Sequence, residues 1–138
     1  MAGDMSGSLV RISAATTARR RNIQAEAVWI GEDLLVYIWG GERPHIGAAA
    51  MAQPRPSLAD AAKTSATASV FTYLGHKEDE LAKWAAETLA AALGAKVVVT
   101  AGIHWDNLDR EAIEAVTANS RELVRLLLEK LKQGEGNR

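Results

Sequence analysis

Val97-Val-Val-Thr-Ala-Gly-Ile-His-Trp-Asp-Asn107 decides how this chain folds. Three valines open it, a glycine and three polar residues close it, and a long helical pattern follows. A run of β-branched residues reads as a strand, and Gly, Asp and Asn at its end read as a turn. The strand is expected over Lys96 to Ala101, buried on both faces. Asn107 or Asp109 is expected to cap the helix that follows. A strand that stops at a helix entrance is a common way to build a site. The strand is rigid, the glycine permits close approach, and the helix start offers N–H groups. The chain has only three histidines, His45, His76 and His104, and each lies within two residues of a glycine at such a boundary. The plainer alternative is that His104 and Asp106 only cap and orient the helix.

Working outward, Asp79 to Leu93 carries Leu81, Trp84, Ala85, Thr88, Leu89 and Ala92 on one stripe and reads as a helix. Glu78, Asp79 and Glu80 suit its positive end, and Gly94 suits its stop. The last helix shows Ile113, Val116, Ser120, Leu123, Val124, Leu127 and Leu131 on one side. Upstream, Leu9 to Thr17 alternates Val10, Ile12 and Ala14 as a strand does. Arg19-Arg-Arg21 is either a solvated turn or a phosphate patch. Ile23 to Ile30 and Leu34 to Trp39 flank Gly31-Glu-Asp33, a hairpin signal. Leu34 to Trp39 is apolar on both faces and is expected at the centre of a sheet. After the Gly40 to Pro44 break, Ala48 to Met51 reads as a strand. Gln53 to Thr64 holds Pro54 and Pro56 and reads as a long loop of the lid or binding type. Ala66 to Tyr73 reads as another strand. Residues 1–8 and 132–138 read as loose ends of one domain spanning 1–138. Strands followed by helices predict an α+β fold. The expected form is a single, mostly antiparallel sheet of about six strands with two helices packed on one face. The helix over Asp79 to Leu93 links two strands and is a candidate parallel crossover.

Composition narrows the function. At 138 residues with 48% hydrophobic content, the chain is long enough to bury roughly two-thirds of its surface. A net charge of -1 disfavours a dedicated nucleic-acid or anionic-membrane binder. The absence of cysteine excludes disulfides and thiolate chemistry, and fits a cytoplasmic protein. No apolar run approaches the roughly 20 residues that span a bilayer, and residues 1–8 lack an apolar signal core.

The usual catalytic and nucleotide signatures are missing. No G-x-S-x-G is present and no serine adjoins a histidine, which disfavours hydrolytic serine chemistry. Neither G-x-G-x-x-G nor a P-loop occurs. His45, His76, His104 and Asp106 have metal-ligand chemistry but no H-x-x-x-H or H-x-H spacing, so a metal site requires the fold to converge them. Alternatively they hydrogen-bond at loop ends. A phosphate or flavin site is the third option. Arg43, Lys77 and the helix start near Gly75 can neutralise an anion, and Trp39, Tyr73 and Trp105 border the same loops. Ordinary core packing is the alternative for those aromatics.

Three blocks carry a resemblance together: Gly40-Gly-Glu-Arg-Pro-His-Ile-Gly47, Gly75-His-Lys-Glu78 and Val97 to Asn107. In order and spacing, over about residues 9 to 131, the chain resembles the LpdD-like family. These are small D subunits found with non-oxidative hydroxyarylic-acid (gallate-type) decarboxylases, described as prenylated-flavin chaperones. The resemblance implies a fold like that of proteasome assembly chaperones, and a homodimer. It implies a helper that binds prenylated FMN, or FMN, and assists its delivery to or maturation in a UbiD-type decarboxylase, with a flavin prenyltransferase as a further partner. Carried onto the matching positions, Gly41, Gly47, Gly75 and Gly102 would allow close backbone approach. Arg43 and Lys77 would meet the phosphate. His45, His76 and His104 would bond the ring edge or phosphate, or hold a divalent metal bridging it. Asp106 would orient a histidine or join that metal, Asn107 completes the motif, and Glu78 would form a pair or move a proton. Trp105 stands where an aliphatic residue is expected.

Three functions therefore compete: a flavin-binding chaperone, a cofactor-free assembly factor for a decarboxylase subunit, and a small metal-dependent enzyme using the three histidines. Nucleic-acid binding through Arg19 to Arg21 is a weaker fourth.

Overall fold

The computed structural model describes residues 11–75 and 78–134, except for the side chain of Arg19. The expected tail at 1–8, the strand position Val10, and the site candidates His76 and Lys77 lie outside the described residues. The element order is β1 (Arg11–Thr16), a 3-10 turn (Ala18–Arg20), β2 (Ile23–Ile30), β3 (Asp33–Gly41), β4 (Ala48–Pro56), β5 (Thr64–Thr72), α1 (Asp79–Leu93), β6 (Val97–His104) and α2 (Arg110–Gln133). The six strands form one sheet in the order β1-β2-β3-β6-β4-β5. The fold is α+β, and β3–β6 is the parallel pair in an otherwise antiparallel ladder.

The β3 strand lies inside the sheet, as its apolar run requires. The α1 helix carries the chain from β5 to β6. These strands run in the same direction with β4 between them, so the crossover steps over one strand. Alternation sets the core. Ala25, Ile38, Ala101 and Ala48 share one register row, and Ala27, Val36, Val99 and Ala50 share the next. All are buried. They join one cluster with the buried residues of α1 and α2. The opposite rows carry Leu35, Tyr37, Trp39, Val98 and Thr100, which are half-buried. The expectation that the 96–101 strand is covered on both faces is therefore corrected.

The stripe expected on α1 is also rotated. Ala82, Ala85, Ala86, Leu89, Ala90 and Leu93 are buried, while Ala92 is exposed and Trp84 is half-buried. Four of those six are alanine, so a small-residue ridge sits on the sheet and the indole is left at the margin. In α2, Ala115 and Asn119 are buried and Ile113 is 52% exposed, against expectation. Fully buried Ile23, Ile38, Leu89, Leu123, Leu127 and Leu131 each stabilise the fold by about 1.5–3 kcal/mol.

Three boundaries differ from expectation. Gln53 to Thr64 is not a long loop: β4 runs to Pro56 and β5 starts at Thr64, leaving residues 57–63 as the turn. Beyond Ala52, β4 has no β6 partner, so the prolines cost no ladder bond on that side. Ser57 and Asp60 close the turn. The Ser57 hydroxyl accepts from the Ala59 N–H at 3.2 Å, and the Asp60 carboxylate accepts from the Ala62 N–H at 3.0 Å. At the other end of the chain, α2 extends through Lys132 and Gln133, which were expected in the tail. Lys130 donates to the Ser13 carbonyl at 2.7 Å and ties this last turn to β1. Lastly, β6 runs three residues past Ala101, because Tyr37 to Gly41 of β3 pair with Thr100 to His104.

Candidate functional site

The extra length of β6 carries His104 out to the end of the ladder, level with Gly41 of β3. Gly41 holds φ +84°, and a Cβ there would stand 2.2 Å from the His104 carbonyl oxygen. That carbonyl instead accepts from the Glu42 N–H at 2.7 Å. Gly102 faces the next segment. A Cβ on it would stand 1.5 Å from the His45 carbonyl oxygen. Gly47 completes the joint, with its N–H on the Ala101 carbonyl at 2.9 Å. A Cβ on Gly47 would fall 2.2 Å from the Glu78 carboxylate. The three glycines therefore let protein segments pack on one another. Gly75 differs: it holds φ +81° with open space around it and shapes the turn before α1.

This packing assembles two pairs. In the first, His45 Nε2 lies 2.8 Å from Glu78 Oε1, both largely buried. His45 Nδ1 faces the Arg43 carbonyl at 2.9 Å, and a carbonyl only accepts, so Nδ1 carries a proton. Glu78 sits at the N-cap of α1 but does not cap it. Its Oε1 accepts from the Ile103 N–H at 3.3 Å, so the carboxylate bridges α1, β6 and the loop before β4. In the second pair, Arg43 Nη2 donates to both oxygens of Asp106, at 2.7 and 2.8 Å. His104 Nε2 donates to Asp106 Oδ1 at 2.8 Å. The guanidinium and then the imidazole hold the Asp106 carboxyl below its ordinary value, and Asp106 in turn raises Arg43. This pair is exposed.

The structure thus brings together Arg43, His45, Gly47, Glu78, Gly102, His104 and Asp106, with Gly41 beneath. Asn107 does not cap α2. It takes φ +57° in the turn, and Asp109 caps the helix by accepting from the Ala112 N–H at 2.8 Å. Among the described residues no group of three or more His, Asp or Glu is placed to hold a metal ion. The two described histidines, His45 and His104, are committed to different carboxylates, one largely buried and one exposed.

A groove of about 260 Å³ adjoins the buried pair. Glu78, Leu81, Trp84, Ile103, Trp105, Leu108, Val116, Thr117, Ser120 and Arg121 line it, together with Glu80. Trp84, Leu108 and Arg121 were not among the site residues read from the chain. Trp84 fits a core stripe as well as a binding site, and no spacing relates it to Arg121. Only the packing of α1 beside α2 shows the relation. The Arg121 guanidinium lies 5.2 Å from the Trp84 ring centre, and Arg21 lies 5.2 Å from that of Trp105. Arg19 and Arg20 lie in the 3-10 turn, and Arg21 follows it. Asn119 holds that turn by donating to the carbonyls of Ala18 and Arg21, at 2.8 and 3.3 Å.

The chain is a six-stranded α+β sheet backed by helices, and no helix among the described residues is long and apolar enough to cross a membrane. A chain of the chaperone complex for yeast 20S proteasome assembly superposes with a TM-score of 0.56 at 13% identity, over 91% of this chain and 96% of that one. At that identity the likeness is one of fold. Residues 17–132 match the model of the prenylated flavin chaperone LpdD-like domain, and the chain belongs to that family. No curated protein matches it significantly in sequence.

Proposed function

We propose that this chain binds prenylated FMN and passes it to, or helps mature it in, a UbiD-type aromatic-acid decarboxylase. It acts as an accessory protein rather than the catalyst. The observation that carries this reading is the joint at the end of β6, where Gly41, Gly47 and Gly102 draw Arg43, His45, Glu78 and His104 together. Membership of the prenylated flavin chaperone family supports it.

The donor set suits such a ligand. A guanidinium and an imidazole side by side on Asp106 form a corner that offers N–H donors to a phosphate, and the groove beyond Glu78 offers apolar and aromatic walls. Arg43 and His104 would hold the phosphate in exchange for Asp106, and Asp106 would keep both aligned until then. His45 and Glu78 would fix the loop between the corner and the groove. His76, Lys77 and Asn107 remain candidates by motif position, Lys77 for the phosphate and His76 for the ring edge or phosphate. When bound, the prenylated flavin supplies the reactive ring that the decarboxylase uses.

The partners are the decarboxylase and a flavin prenyltransferase, and the working form is a homodimer. Exposed Ile46, Met51, Phe71, Tyr73 and Leu74 support an interaction surface near β4 and β5. The same residues favour a second reading, an assembly factor that holds a decarboxylase subunit without cofactor.

The test is co-expression with a flavin prenyltransferase, anaerobic purification, and measurement of the absorption spectrum and released-ligand mass. Stoichiometric prenylated FMN, lost in His104→Ala, is expected. A colourless wild-type protein that still captures a decarboxylase subunit would replace this reading with the second one.

A further inference from the structure

We infer that the groove between α1, the end of β6 and α2 is the slot for the isoalloxazine ring, with Trp84 and Arg121 as its specificity residues. This rests on the flavin reading above and adds a place and a set of contacts to it. Three features of the groove carry it.

The first is shape and lining. Two indoles, Trp84 and Trp105, meet Leu81, Ile103, Leu108 and Val116 in one space of about 260 Å³. Whole-ligand sites run to about 300–1,000 Å³, so this space suits a flat ring system and leaves a sugar phosphate outside. Planar aromatics stack on indoles, and the rest of the lining is part aliphatic and part polar, with Glu78 and Glu80 at the α1 end and Thr117, Ser120 and Arg121 on α2.

The second is the hydrogen-bonding edge. The Thr117 hydroxyl donates to the Ile113 carbonyl at 3.0 Å, and the Ser120 hydroxyl donates to the Val116 carbonyl at 2.7 Å. With those protons committed, both oxygens present only lone pairs to the groove. Arg121 is the reverse, offering only N–H donors. In an imide edge an N–H lies between two carbonyls; one of these hydroxyl lone pairs can accept from that N–H while Arg121 donates to a flanking carbonyl. The flavin pyrimidine ring has that edge.

The third is continuity. Glu78 and Ile103 line the groove; the Ile103 N–H donates to Glu78 Oε1, and the same oxygen pairs with His45. A ring in the groove therefore points its chain toward the Arg43–His104 corner. Trp105 is held for this role by Arg21 over its ring, and Asn119 fixes the turn that leads to Arg21.

The test uses three probes: lumichrome, which has the ring edge and no phosphate, FMN, and anaerobically prepared prenylated FMN. Binding is read by quenching of tryptophan fluorescence and by calorimetry in wild type, Trp84→Leu, Arg121→Gln and His104→Ala. Trp84 and Arg121 lie outside the buried core, and circular dichroism verifies folding of each variant. The expected result is that Trp84→Leu and Arg121→Gln each weaken lumichrome and the flavins about tenfold. His104→Ala weakens the phosphate-bearing probes and leaves lumichrome unchanged. If FMN or prenylated FMN binds but lumichrome does not, the slot is overturned and the flavin reading stands. The same follows if lumichrome binds with equal affinity to wild type, Trp84→Leu and Arg121→Gln. If wild type takes up none of the three, both fall together.

Discussion

Gly102→Ala is the sharpest perturbation of the joint. A methyl group there would begin 1.5 Å from the His45 carbonyl oxygen and 2.2 Å from its carbon. Ordinary contact needs about 3.4 Å or more, so two stretches of backbone must part by roughly 2 Å. Neither is a flexible side chain that can swing aside. Overpacking of this kind costs about 1–3 kcal/mol. The Gly47 N–H to Ala101 bond is stretched by the same movement and adds about 1 kcal/mol, so a total near 3 kcal/mol is expected. With an unfolding entropy of about 2.1 cal/mol/K per residue over 138 residues, that lowers Tm by about 10 °C. Gly94→Ala is the control. Gly94 also has a positive φ, +61°, but a Cβ there meets nothing within 4 Å. It should cost only about 1 kcal/mol, or about 3 °C. The assay is thermal unfolding followed by circular dichroism. If Gly102→Ala melts no lower than Gly94→Ala, close approach is not what the glycine provides, and the account of the joint fails.

Three further outcomes are expected. Asp106 titrates below the ordinary carboxylate value of 3.8 because of Arg43 and His104, so its contribution to stability is present above that value and is lost as pH falls through the lower folded one. Arg43→Ala should move the Asp106 titration upward in a carboxyl NMR experiment, and an unchanged midpoint would contradict the pairing. Asp109→Ala removes the α2 cap and should cost about 1 kcal/mol, seen as a drop of about 3 °C in Tm, whereas Asn107→Ala should leave the cap intact. Asn119→Ala leaves the Ala18 and Arg21 carbonyls without their side-chain donor and should cost about 1–3 kcal/mol in urea unfolding, with a change in Trp105 fluorescence.

Much of the fold is legible along the chain because local rules act over a few residues. The hairpin at Gly31 to Asp33, the bounds of α1 at Asp79 and Leu93, and the central place of Leu34 to Trp39 follow from turn chemistry, capping and apolar runs. The same rules mislead where a neighbour decides. Pro54 and Pro56 suggest a loop until β4 is found to outrun β6. Trp84 suggests core until the alanines of α1 are found to take the sheet side. The length of β6 depends on β3 continuing to pair with it.

The site divides in the same way. Residue chemistry and motif order on the chain are enough to nominate Arg43, His45, Glu78, His104 and Asp106 as candidates, because glycine, histidine and acid at strand ends are unusual neighbours. Which histidine meets which carboxylate is a matter of packing across 33 positions for His45 and Glu78 and across two for His104 and Asp106. No periodicity reports a distance of that kind. The groove is further out of reach, since its walls come from two helices and a strand end joined only by the core. Identity, charge and local conformation reside in the chain. The spacing of charges and the existence of a cavity arise when distant segments are pressed together, and here three glycines with no side chain to hold them apart permit that contact.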